Sequence, residues 1–173
     1  QEYSLTGGGK KGDFNFFAAA TSYDSDGYEF NVKRDMLGRS STFDYANKFE
    51  NAYVGLQYKE LTFNFSTFNQ QKEKFGFLPI LATGGTQNIE NYYTDLKWVH
   101  GFTDQLTMQV NGRYDRIRKD YEINNGRGGF SSVPQDAQKY GGEIQFTYTP
   151  TDRFSLTFGG SWDKYELQLD WPN

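Results

Sequence analysis

The side chains best suited to chemistry lie between the regular segments of this chain. Lys33, Arg34 and Arg39 fall close to Tyr28, Phe30, Phe43 and Tyr45 in a polar stretch that runs from Ser25 to Ala46. Guanidinium forks beside aromatic rings can hold an anionic, ring-bearing molecule such as a metal chelate, through charge-assisted hydrogen bonds and stacking. Arg34, Arg39 and Tyr45 are therefore the candidate ligand contacts. A solvated loop that meets lipopolysaccharide or neighbouring loops is the competing reading of the same residues. A second polar stretch carries Phe75-Gly76-Phe77-Leu78-Pro79-Ile80-Leu81. Apolar residues in a connection call for a partner, which adds Phe75 and Phe77 to the candidates.

Other chemistries find less support. Asp24-Ser25-Asp26-Gly27 resembles the start of a calcium loop, with Asp24 and Asp26 as ligands, but Asp35 stands at the twelfth position where such a loop needs glutamate. An Asx-rich turn leaving a strand is the simpler reading. The one histidine, His100, adjoins a short turn far from the long connections, which suits an interfacial or lumenal polar residue better than a general base. Cysteine is absent, which excludes disulfides and thiolate metal sites. No nucleophile elbow, phosphate loop or metalloprotease motif occurs, and Gly7-Gly8-Gly9 precedes two lysines rather than a helix. The expectation is a protein that is not an enzyme and has no cofactor. A net charge of -4 lacks the basic stripe of a nucleic-acid binder.

The elements that must position these residues are strands. Four short connections, Lys10–Asp13, Lys59-Glu60, Thr103–Gln105 and Thr149–Asp152, each join two runs of alternating polar and apolar residues. In one arm Leu61, Phe63 and Phe65 share a face and Thr62, Asn64 and Ser66 the other. The next arms repeat this with Leu106, Met108 and Val110 against Thr107, Gln109 and Asn111, and with Phe154, Leu156 and Phe158 against Arg153, Ser155 and Thr157. The pattern predicts eight antiparallel strands near 2–9, 14–23, 47–58, 61–71, 91–102, 106–120, 139–149 and 153–167. The connections at the opposite end are then about 18 to 26 residues long, where compact soluble domains seldom exceed about 12 to 15.

Short turns at one end, long loops at the other and about 10 residues of alternation per strand are the pattern of an outer-membrane β-barrel. A mean hydropathy of -0.81 does not oppose this, because only every second residue of such a strand meets lipid. Aromatic residues make up 18% of the chain, and Tyr58, Phe102, Tyr148 and Phe154 beside the turns, with Tyr23, Tyr92, Tyr114 and Trp162 toward the loops, form two girdles suited to bilayer interfaces. A soluble sandwich or lipid-carrier barrel also alternates and is the competing fold.

The polarity suggests a piece of something larger. With the short turns in the periplasm, both ends of the chain fall on the extracellular side, so at least one strand is expected before the first and one after the last. Asp95, Lys97, Arg113, Asp115, Glu143, Arg153 and Asp163 are expected to face a wide, hydrated or plugged lumen. Gln1 follows no secretory leader in this sequence, as in a processed chain or a piece of a longer one. Asp170-Trp171-Pro172-Asn173 is unlike the terminal aromatic strand of a finished barrel.

Gln1-Glu2-Tyr3-Ser4-Leu5, then Gly12-Asp13 and the arm that ends at Tyr23 before Ser25-Asp26-Gly27-Tyr28, resembles the early barrel hairpin of TonB-dependent outer-membrane receptors. Gly101-Phe102-Thr103-Asp104-Gln105-Leu106-Thr107 and Thr149-Pro150-Thr151-Asp152-Arg153-Phe154-Ser155-Leu156 resemble further hairpins of that family. The resemblance rests on turn chemistry and spacing along essentially the whole chain. It implies that residues 1–173 are an early third of a 22-stranded barrel, with a plug domain before Gln1. It further implies import of a scarce ligand, such as a ferric siderophore or cobalamin, driven by the TonB complex. The expected partners are outer-membrane lipids and lipopolysaccharide, a small-molecule or metal-chelate ligand, the plug and TonB. No segment here matches the family's plug or its TonB-contacting stretch. The alternative function is a small self-contained anchor or adhesion barrel, or a passive pore.

Overall fold

The computed structural model describes residues 1–74, 85–124 and 130–169. Ten strands run in chain order: β1 (Glu2–Lys11), β2 (Phe14–Ser25), β3 (Glu29–Val32), β4 (Ser41–Asp44), β5 (Asn47–Tyr58), β6 (Leu61–Lys74), β7 (Gly85–Thr103), β8 (Leu106–Asn124), β9 (Phe130–Thr151) and β10 (Phe154–Leu169). Eight of them form one antiparallel sheet in the order β1-β2-β5-β6-β7-β8-β9-β10, and β3 pairs with β4 in a separate hairpin. Every pairing in the large sheet joins sequence neighbours or closes over that hairpin, so the sheet is a meander. It is open: β1 is bonded only to β2, and β10 only to β9.

The four short turns fall where the alternation places them. Gly12 and Lys59, each the first residue of its turn, adopt φ of 60° and 51°, the left-handed backbone that tight hairpin connections between twisted strands require. Glycine adopts it freely; Lys59 carries a β-carbon into it and rests its ammonium over the Tyr58 ring at 5.4 Å.

The opposite ends differ from the expectation in two ways. Strands β7, β8 and β9 begin or end well beyond the predicted limits, so that 75–84 and 125–129 are all that separates the strands there. The expected long second and third connections are in large part strand. The first connection does leave the sheet, but as the paired hairpin β3–β4, with Phe30 opposite Phe43 and Val32 opposite Ser41.

Register shows how the two faces are dressed. Phe16, Leu56, Phe63, Leu96 and Gly112 align on one face, and Phe17, Gly55, Asn64, Asp95 and Arg113 on the other. The apolar face is a band of limited height. It runs from Phe14 to Ala20 on β2, from Leu61 to Thr67 on β6, from Leu106 to Tyr114 on β8 and from Leu156 to Trp162 on β10. At about 3.4 Å per residue this is roughly 20 to 27 Å along each strand. The band crosses the sheet obliquely. Thr67 of β6 aligns with Tyr92 of β7 and Arg116 of β8, so the upper margin has already stepped down by β8, and the turns step down with it. A band that stays level while its strands tilt has this register.

Burial is slight. The buried side chains among the described residues are Val32, Asp35 and Gln87, whereas Phe16, Leu96, Phe158 and Trp162 are exposed. A sheet with this much uncovered apolar surface has its main contact outside itself.

Candidate functional site

Three polar constellations sit on this frame. The first lies on the face opposite the apolar band. Tyr53 leans across Gly55 and donates to Asn64 Oδ1 at 2.6 Å, and Asn64 Nδ2 donates to Asp95 Oδ2 at 3.3 Å. Arg113 donates to both carboxylate oxygens of Asp163, at 2.7 and 3.0 Å, and Lys139 Nζ stands 3.6 Å from the same carboxylate. Asp95, Lys97, Arg113, Asp115, Glu143 and Asp163 share this face, as the alternation predicts, while Arg153 belongs to the last turn. Arg113 and Lys139 thus share the Asp163 carboxylate, Asp95 is met by the Asn64 amide, and one buried oxygen of Asp115 has no hydrogen-bond partner among the described residues.

The second lies above the band, where the two faces exchange character. On the face that carried apolar residues come Glu50, Asn69, Glu90 and Arg116; on the other come Phe49, Phe68, Ile89 and Ile117. The charged side becomes a lattice of ion pairs: Lys48 with Asp24 at 3.0 Å, Arg116 with Asp136, whose closest N–O distance is 2.5 Å, and Lys164 with Glu166. The apolar side carries a ladder of rings, Tyr23 stacked on Phe49 at 5.0 Å and Phe49 beside Phe68 at 6.0 Å. Reasoning from sequence missed this wall. Its signal was present: from Glu50, Glu90 and Arg116 outward the alternation continues in opposite phase, with charges where apolar residues stood.

The third is the hairpin connection. Asp35, its side chain fully enclosed, accepts hydrogen bonds from the Leu37 and Arg39 amides at 2.9 Å each and from Arg39 Nε at 3.2 Å. Gly38 turns the chain at φ 76°, and Met36 and Leu37 are left exposed at the tip. Arg39 is thus bound into the knuckle, Arg34 is exposed beside Gly38, and Tyr45 stacks on Tyr28 at 5.6 Å where the hairpin leaves the sheet. Arg34 and Arg39 therefore flank the Gly38 turn, and Tyr45 lies at the base of the hairpin. Phe75 and Phe77, like Asp170–Asn173, lie outside the described residues.

At the turn end His100 Nδ1 stands 3.0 Å from both carboxylate oxygens of Glu60, and Trp98 Nε1 donates to the same carboxylate at 3.1 Å. Trp98 stacks on His100 and Phe102 meets it edge-on. Donation from His100 first, with Trp98 adding to it, holds the Glu60 carboxyl below the usual carboxylate range. Glu60, Trp98, His100 and Phe102 thus form one hydrogen-bonded aromatic cluster at the turn end of the sheet. Asp24, the first calcium candidate, already has Lys48 as its cation, and no cluster of three metal-ligating side chains occurs among the described residues. Comparison with protein-family models, with curated proteins and with solved structures finds no match to this chain.

Proposed function

We propose that this chain is part of the barrel wall of a bacterial outer-membrane uptake receptor. The observation that carries the reading is the oblique apolar band, which keeps nearly constant height across the meander, follows the line of short turns and gives way at its upper margin to charge. That height suits the roughly 25 Å lipid-facing belt of an outer-membrane barrel. Trp98, His100 and Phe102 at one margin and Tyr92, Tyr114, Tyr140 and Trp162 at the other sit where amphipathic rings favour the two interfaces.

The free edges of β1 and β10 would leave unpaired backbone groups in lipid, which cannot satisfy them, so the barrel is completed by further strands. The charged opposite face then lines a lumen too wide to fill with these side chains alone. The turn sequences quoted above resemble those of TonB-dependent receptors, which extends the reading to a 22-stranded barrel with a plug, importing a scarce ligand at the expense of energy supplied through TonB.

These 173 residues contain no cysteine, so single cysteines introduced here report position once any cysteine elsewhere in the full-length protein is replaced. In vesicles containing the full-length protein, a water-soluble maleimide should label cysteines at Thr62, Asn64 and Ser66 but not at Leu61, Phe63 and Phe65, and should label both parities beyond Phe68. Uniform labelling from 61 to 66 would contradict the lipid-facing assignment. Uptake that persists without the proton-motive force would contradict the receptor reading and favour a passive pore.

A further inference from the structure

We propose that the inner wall above the apolar band is a binding surface for a soluble anion that carries an aromatic ring. The proposal rests on the receptor reading and names a substrate class for it. Three observations meet there. The ladder Tyr23–Phe49–Phe68, in which Tyr23 stacks on Phe49 at 16° and Phe49 is tilted against Phe68, is a half-buried run of rings against which a further ring can pack. Lys72 and Lys119 lie on the same face, aligned with Gln87 and Ile89 of β7, and have no ion-pair partner among the described residues.

The carboxylates of this stretch are sorted to the other side. Asp24, Glu50, Glu90, Asp120, Asp136 and Glu166 all align with the charged outward face; Glu2, on the edge strand opposite Tyr23, is the exception. Apolar rings and unpaired cations on one side of a single-layer sheet, with the acids on its reverse, favour an anion over a cation or a neutral ligand. Phe49, Gln70, Ile89 and Lys119 are in register, so at about 4.8 Å per strand the ring site and the far ammonium are roughly 14 Å apart. That span suits a molecule of several rings or a chelate.

The test uses naphthalene-1,5-disulfonate, a fluorescent dianion too polar to enter lipid, in equilibrium dialysis against the full-length protein in lipid nanodiscs. Saturable binding is expected. The double substitution Lys72→Gln/Lys119→Gln should weaken it about tenfold or more, and Phe49→Leu about fivefold. Lys72→Arg/Lys119→Arg should retain it, and Glu50→Gln on the outward face should not weaken it. No saturable binding by inserted protein, or binding that the double glutamine variant leaves unchanged, overturns the proposal and leaves the ladder as a packing surface. Insertion is scored separately by the cysteine labelling described above, so failure of the membrane reading is seen independently of failure to bind.

Discussion

Arg113 on β8 and Asp163 on β10 pair across the strand that separates them, and Gly141 of β9, in register with both, is what lets them meet. A β-carbon at position 141 would collide with Asp163 Oδ1 and approach Arg113 Nε to 2.6 Å. Gly141→Ala should therefore push Arg113 and Asp163 apart and lower stability by the loss of their bridge. Gly160→Ala is the control, because nothing lies within 4 Å of a β-carbon there, and it should leave stability nearly unchanged. Urea unfolding of the two variants in lipid vesicles checks the difference; equal losses would show that the bridge does not lean on the glycine.

Acid should loosen the turn end through Glu60. Its carboxyl is depressed by His100 and Trp98, so the folded state binds this proton less readily than the unfolded chain. The stabilisation is present above the ordinary carboxylate pKa of 4.5 and is lost as pH falls through the lower folded value. Glu60→Gln should lower the unfolding midpoint at pH 7 to 8, where the stabilisation is present, and flatten its fall below about pH 4.5. An unaltered acid slope in the variant would show that Glu60 is not the group responsible.

Asp35 governs the shape of the first connection and little else. Removing its carboxylate in Asp35→Ala deprives the Leu37 and Arg39 amides and the Arg39 guanidinium of their shared acceptor. Limited proteolysis should then cut near Met36-Leu37 at least several-fold faster, whereas the unfolding midpoint of the sheet should hold, since local and global stability are separable. Unchanged cleavage would mean that the tip is held by β3–β4 pairing alone.

Much of the sheet was legible in the sequence because its determinants are local. Two-residue alternation and turn residues such as Gly12-Asp13 and Lys59-Glu60 specify hairpins without reference to distant groups. The upper parts of β7, β8 and β9 were not legible as strands. There the apolar residues thin out and change face, so Asn88-Ile89-Glu90 on β7 and Tyr121-Glu122 on β8, just past the predicted limits, read as polar connection. The hairpin β3–β4 escaped because four-residue strands such as Glu29–Val32 hold barely one period of alternation. Arg39 looked like a free ligand fork from its type, but its role depends on Asp35 four residues back, in an Asx-type turn that composition does not reveal. Lys72 and Lys119 were not singled out because pairing through β7 is what brings them to one face.

The most direct measurement compares Phe63→Arg with Asn64→Arg, neighbouring residues on opposite faces at the middle of the β6 segment of the band. Folding free energies of the full-length protein in lipid vesicles should fall by about 2 to 4 kcal/mol for Phe63→Arg, the cost of arginine at the bilayer midplane, and by much less for Asn64→Arg. Equal losses, or a larger loss for Asn64→Arg, would contradict a wall that turns its apolar band to lipid and its charged face to a lumen.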